Sequence, residues 1–221
     1  MAAGTPEAKI GELPAVVPIF PLSGVLLLPR GRLPLNIFEP RYLAMFSDAL
    51  GGARLVGMVQ PQTERDMAGN PPVYRTGCAG KIVSFSETDD GRYLVTLAGV
   101  ARFDIVEELP LVKGYRPVRA DWRRFAADLE PPPAGGIDRG RLLAALKPYF
   151  QRHNISADWD AVTATPDERL VTTLAMVCPF AASEKQALLE ADGLGPRAQT
   201  LTALLEMASG TAPPAGADLR H

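Results

Sequence analysis

Hydrophobic positions change their spacing repeatedly along this chain. Val16-Val17-Pro18-Ile19-Phe20 and Leu33 to Phe38 are short apolar runs whose prolines suit strand ends or sheet edges. From Glu39 to Leu50 the period becomes helical. Tyr42, Leu43, Phe46, Ala49 and Leu50 share a face, Pro40 fits the first turn, and Gly51-Gly52 stops the helix. Leu55 to Val59 predicts the next strand, and Gln60 to Gly77 a long polar loop. Cys78 to Glu87 and Arg92 to Ala98 then flank Thr88-Asp89-Asp90-Gly91, a hairpin signature. In its second arm Tyr93, Val95 and Leu97 face one way, and Leu94, Thr96 and Ala98 the other. Gly99 marks a bulge, Arg102 to Glu107 continues the sheet, and Tyr115 to Trp122 supplies its last strand.

The stretch DLEPPPAGGID, Asp128 to Asp138, ends the strand pattern with three prolines and two glycines. Everything after it reads as helix. Arg141 to Phe150 carries Leu142, Leu143, Leu146, Tyr149 and Phe150 on one face, with Pro148 expected to kink or shorten it. Thr165-Pro166-Asp167-Glu168 is a capping box for a helix burying Leu170, Val171, Leu174 and Val177. Ser183-Glu184-Lys185-Gln186 is a second capping box. Pro196 opens the last helix, with Ala198, Leu201, Leu204, Leu205 and Ala208 as its stripe. The expected class is α+β. A β-rich subdomain over 14–127 and a helical subdomain over 138–208 are joined by a linker at 128–137, between a flexible 1–13 and a disordered 209–221.

Composition narrows the function classes. The 221 residues, 47% hydrophobic and 22% charged, can build a core without metals or disulfides. A net charge of −2 gives no global attraction for nucleic acid or anionic membrane. The longest clean apolar run of the opening segment, Val25 to Leu28, is far short of a membrane span, and the start lacks the form of a secretory signal. Cys78 and Cys178 read as two reduced, buried thiols of a cytoplasmic protein.

Catalytic chemistry finds little support. His153 and His221 are the only histidines, and His153 suits a helix C-terminus. Nucleophilic catalysis lacks a placed base, zinc lacks clustered ligands, and no GxxxxGK[ST] loop is present, so no metal or cofactor is expected. Ser183 with Lys185 suggests a hydrolytic pair, but two residues apart on a helix they point apart. Arg123-Arg124 between Trp122 and Phe125 superficially suits stacked RNA. It suits a neighbouring carboxylate or solvent better.

Three segments in order carry a resemblance: VPIFPLSGVLLLPRGRLPLNIFEPRYLAMFSDAL, GCAGKIVSFSETDDGRYLVTLAGVARFDI and SEKQALLE. Over roughly residues 14 to 208 the chain resembles the N-terminal domain of the ATP-dependent Lon proteases. That resemblance implies a PUA-like β-barrel followed by a small α-helical bundle, and a role in holding unfolded or tagged polypeptides. The ATPase and Ser-Lys protease domains have no counterpart in the sequence, so the expectation is a stand-alone, non-catalytic binding module. It would serve protein quality control, as an adaptor to a separate ATP-dependent protease. An RNA or small-ligand binder and a hydrolase with an unrecognised site are the alternatives.

Candidate peptide contacts are Phe20, Leu22, Phe38, Tyr42 and Met58, with Met67 and Tyr74 on the long loop. The competing reading of Phe20, Leu22, Phe38 and Tyr42 is plain core. Glu39 and Arg41, flanking Pro40, are expected to form a structural lock at the strand-to-helix corner. If that lock is buried, Glu39→Ala costs about 1–3 kcal/mol.

Overall fold

The computed structural model describes residues 10–63, 70–131 and 136–210. Six strands appear in it: β1 (Val16–Pro21), β2 (Arg32–Ile37), β3 (Leu55–Val59), β4 (Thr76–Glu87), β5 (Tyr93–Glu108) and β6 (Arg116–Asp121). Helix α1 (Pro40–Leu50) lies between β2 and β3, and a 3-10 segment (Arg123–Leu129) follows β6. Then come α2 (Arg139–Arg152), α3 (Trp159–Ala164), α4 (Asp167–Val177), α5 (Ala182–Glu190) and α6 (Leu194–Ser209). The α+β class stands. Among the described residues no helix is long and apolar enough to cross a membrane.

The strand ladder returns on itself. β1 pairs β3 in parallel, and β3–β4, β4–β5, β5–β6 and β6–β1 are antiparallel. Those five strands close a ring, which leaves no open edge in it. Its interior holds Val17, Ile19, Leu55, Val59, Ala101, Phe103, Val118 and Trp122. Phe103 meets Trp122 at 5.4 Å between ring centroids. Gly57 makes room for it, since a Cβ there would lie 2.7 Å from the Phe103 ring. β5 is long enough to take two partners in succession within the one sheet. Its second half pairs β6, and its first half pairs β2 from Arg32↔Ala98 to Ile37↔Tyr93. The expected bulge falls one residue after Gly99. Ala79↔Ala101 is followed by Gly80↔Gly99, leaving Val100 extra.

The densest apolar run is in no strand. Leu26, Leu27 and Leu28 are buried in the connection from β1 to β2. Buried backbone needs partners, and distant residues supply them. Gly24 N–H donates to Gln60 Oε1 at 3.0 Å, the Gln60 amide donates to the Val25 carbonyl, and Lys185 Nζ donates to the Gly24 carbonyl at 2.7 Å. Arg30 N–H donates to the Gly99 carbonyl at 2.8 Å. A Cβ at Gly99 would sit 2.0 Å from the Leu28 carbonyl oxygen, so this contact requires glycine.

The chain divides into two compact units, Met1–Pro132 with Met176–Glu190, and Pro133–Ala175 with Ala191–His221. Thus α5 packs in the barrel unit rather than with the other helices. Arg102, 4% exposed, explains how. Its Nε and Nη2 donate to the two Asp128 carboxylate oxygens at 2.8 Å each, its Nη1 donates to the Leu189 carbonyl at 2.9 Å, and its guanidinium lies over Phe125. In the second unit α2 packs on α6, with Arg141 bidentate on Glu206 at 2.8 Å. Arg139 gathers Asp167 and the carbonyls of Val162, Thr163 and Thr165.

Several helix expectations need correction. α2 runs through Pro148, because Leu142, Ala145, Leu146, Tyr149 and Phe150 are buried on both sides of it. Helix α3 was not visible in the apolar period; Asp158 caps it, accepting from the Asp160 and Ala161 amides. The Thr165 hydroxyl serves that helix, donating to the Ala161 carbonyl at 2.7 Å, instead of capping α4. Val177 is 65% exposed at the end of α4. The second capping box is displaced by two residues. Glu184 Oε2 accepts from the Ala181 amide at 2.7 Å, so Ala181 takes the cap and Ser183 lies inside α5.

Cys78 and Cys178 are free and buried. Burial pushes the Cys178 thiol up to about 12, against a smaller opposing attraction from Lys185. In folded protein at pH 8 we expect Cys178 to resist an aromatic disulfide reagent, and to react promptly once urea unfolds the chain; fast native labelling contradicts this burial. Arg102→Met strands the Asp128 carboxylate, and we expect a loss of about 3–5 kcal/mol in urea unfolding. Arg123→Met breaks only an exposed pair with Asp121 and should leave the midpoint unchanged.

Candidate functional site

At the far end of β2 the chain turns sharply into α1, and the turn builds a groove of about 220 Å³. Phe20 and Leu22 come from the end of β1, Leu35 and Asn36 from β2, and Tyr42 from the first turn of α1. Phe38 stands at the corner. The opposite wall is Pro61, Thr63 and Pro71. Those residues belong to the two ends of the long polar segment, which zip together. Tyr74 N–H donates to the Gln60 carbonyl at 3.0 Å, and Gln62 N–H to the Pro72 carbonyl at 2.8 Å.

The candidate contacts separate by burial. Phe20 and Tyr42 are 6% and 7% exposed, with ring centroids 4.3 Å apart, and Phe20 meets Phe46 edge-on at 6.1 Å. They form the floor, so core and groove readings both hold for them. Leu22 is half-buried. Phe38 is 63% exposed, which overturns its reading as core. Strand alternation ends at Ile37, 2% exposed, and the next side chain falls on the solvent side. Met58 is 2% exposed and buried within β3, so it offers no contact. Tyr74 is half-buried and does not line the groove. Met67 lies outside the described residues.

Glu39 and Arg41 sit on the rim. Arg41 Nε donates to Glu39 Oε2 at 3.0 Å, and the guanidinium also lies 4.6 Å from the Tyr42 ring centroid. Their side chains are 44% and 29% exposed, so solvent screens the pair. The Glu39 backbone contributes more directly to the corner: its carbonyl accepts from the Tyr42 and Leu43 amides, both at 2.9 Å. Pro40, in the first turn, needs no partner for a missing N–H.

The groove is lined mainly by apolar side chains. Its prolines offer no amide and its floor is aromatic, while Ser23, Asn36, Glu39, Arg41 and Thr63 are its polar lining residues. One more feature bears on it. β2 pairs β5 on one side and, among the described residues, has no strand on the other. Pro34 cannot donate to a ladder, so it belongs on that open side, where Arg32 and Asn36 alternate with it. The hydrophobic pattern located this strand; its openness depends on which strands pair, which no local pattern carries.

The paired arginines behave as the composition suggested. Arg123 holds Asp121, whose carboxyl it draws down to about 2, and Arg124 lies 3.6 Å from Asp104. Among the described residues, no group of three or more His, Cys, Asp or Glu side chains is placed to hold a metal ion.

Comparison with known proteins adds the remaining evidence. The family model described as the ATP-dependent protease La (LON) substrate-binding domain matches residues 16–207. Lon protease 2 of Myxococcus xanthus is 27% identical over 198 residues, 88% of this chain and 24% of that protease. Lon protease of Dictyoglomus thermophilum is 25% identical over 194 residues, again 24% of its length. The chain therefore spans about a quarter of these relatives. In fold, it resembles the Lon N-terminal domain protein from Xanthomonas campestris at a TM-score of 0.59 and 22% identity, covering 85% of this chain and 97% of that one. The N-terminal domain of the Mycobacterium avium complex Lon protease gives 0.59 at 17% identity, covering 90% of this chain and all of that one.

With the ion pair half-exposed, Glu39→Ala is expected to cost below about 1 kcal/mol, short of the buried-lock expectation. A loss of 2 kcal/mol or more in urea unfolding contradicts the screened geometry.

Proposed function

This chain belongs to the family of LON substrate-binding domains, and from that premise we propose that it binds polypeptide through the Phe38 groove. The observation that carries the reading is Phe38 itself. A phenylalanine left 63% exposed beside a partly filled apolar groove and an open strand edge favours an incoming apolar side chain. The strand edge supplies backbone hydrogen bonds and the groove supplies side-chain burial, the combination by which extended peptides add to a sheet.

The module acts without catalysis of its own, as an adaptor that holds unfolded or tagged chains for a separate ATP-dependent protease. One feature supports this: the matched family segment is a substrate-binding one. The RNA reading has less behind it, since Arg123 and Arg124 are engaged by carboxylates.

Titration of fluorescent, permanently unfolded model proteins tests this reading. We expect saturable binding, weakened about tenfold or more by Phe38→Ser through lost apolar burial. The melting temperature should not fall, because Phe38 is exposed. Absence of saturable binding across several unfolded proteins overturns the proposal.

A further inference from the structure

The other end of β2 leads to a second cavity, of about 570 Å³, at the mouth of the barrel. Its floor is one row of cross-strand neighbours. Leu55 pairs Lys81, Lys81 pairs Ala98, and Ala98 pairs Arg32. Directly opposed residues share a face, and Leu55 belongs to the barrel interior, so the row lies on the inward face. Arg32 and Lys81 stand on either side of the small Ala98, two strand spacings or about 10 Å apart. Neither side chain makes a hydrogen bond or ion pair with any described residue. Beside them Leu13, Val100 and Leu129 form an apolar stretch of wall packed on the barrel core, and Glu12 and Arg30 also line the cavity. Asp128 also lines the cavity, but Arg102 takes both of its oxygens.

Two unpaired cations facing an apolar wall, in a volume typical of small-ligand sites, suit an anion with a hydrophobic body. A bare inorganic anion leaves the wall unused. β2 settles which amphiphilic anion the position favours. A peptide added antiparallel to β2 enters at the Phe38 groove and runs toward Arg32; because the open edge lies on the side of β2 away from β5, its last residue reaches the two cations by turning over Arg32 into the mouth. A parallel peptide brings its ammonium there instead, against two like charges.

Resting on the polypeptide-binding reading above, we propose that the barrel mouth recognises the free C-terminus of a client. Arg32 and Lys81 take its α-carboxylate, and an apolar terminal side chain lies on Val100 and Leu129. The site thereby fixes both the direction of the bound chain and its preference for an end over an internal segment.

The experiment compares fluorescent ten-residue peptides of one sequence, apolar at the last position, as the free acid and as the C-terminal amide. Wild type should bind the acid about tenfold or more tighter than the amide, since a charge-assisted contact is lost. R32Q/K81Q should abolish that difference. Equal affinity for acid and amide in wild type overturns the proposal. So does competition by millimolar inorganic phosphate that matches competition by the unlabelled acid. If unfolded proteins bind and Phe38→Ser weakens them while acid and amide remain equal, only this terminus reading fails. If no polypeptide binds in any form, the polypeptide-binding function fails with it.

Discussion

One guanidinium organises the barrel unit. Arg102 projects from β5 and reaches the Asp128 carboxylate after β6 and the Leu189 carbonyl at the end of α5. A buried arginine is tolerable only when its donors are matched, and here that requirement recruits segments 26 and 87 residues away. The demand is geometric as well as electrostatic. Asp128 must be bidentate, Phe125 must lie under the guanidinium at 4.4 Å, and α5 must end beside β5. Asp128 and Leu129 also line the barrel mouth, so the same contact positions that cavity's wall.

From this node the architecture explains where the apolar groove and the cationic mouth arise. A closed ring satisfies its own strands and leaves little to offer. β5 overruns the ring, and β2 attaches to the excess, creating a strand whose backbone is paired on a single side among the described residues. The buried leucines between β1 and β2 hold β2 in place from below, clamped by Gln60 and Lys185. Apolar groove and cationic mouth then fall at opposite ends of the same strand. Six residues of β2 span roughly 17 Å from one to the other.

Local signals in the sequence were sufficient for the hairpin, for α1 and for β3, because alternation, an Asp-Gly tip and Pro40 each act within a few residues. Asp128 was hidden, since its neighbours Glu130-Pro131 have the composition of a linker and its partner is distant in sequence. The placement of α5 was equally invisible, for it depends on Lys185 reaching Gly24, 161 residues away. Phe20, Leu22, Phe38 and Tyr42 were legible as an apolar set, but the set divides into floor and rim only at the end of β2. The Ser183 cap illustrates a finer limit. Its motif was present, yet Glu184 serves the Ala181 amide, so the structural start of the helix precedes the sequence signal.

The pairing of β1 with β6 also has a kinetic consequence. Val16 opposes Arg119, so the ring closes across more than a hundred residues, and contacts of such separation are slow to form. During synthesis at about 5–20 residues per second, β1 waits several seconds before β6 exists. The Arg102–Leu189 contact needs a further stretch of chain after that. The hairpin of β4 and β5, local in sequence, is positioned to form first and to serve as the template on which the early strands are later gathered. A nascent chain of this protein thus passes through a stage in which its own first strands are exposed, unfolded polypeptide.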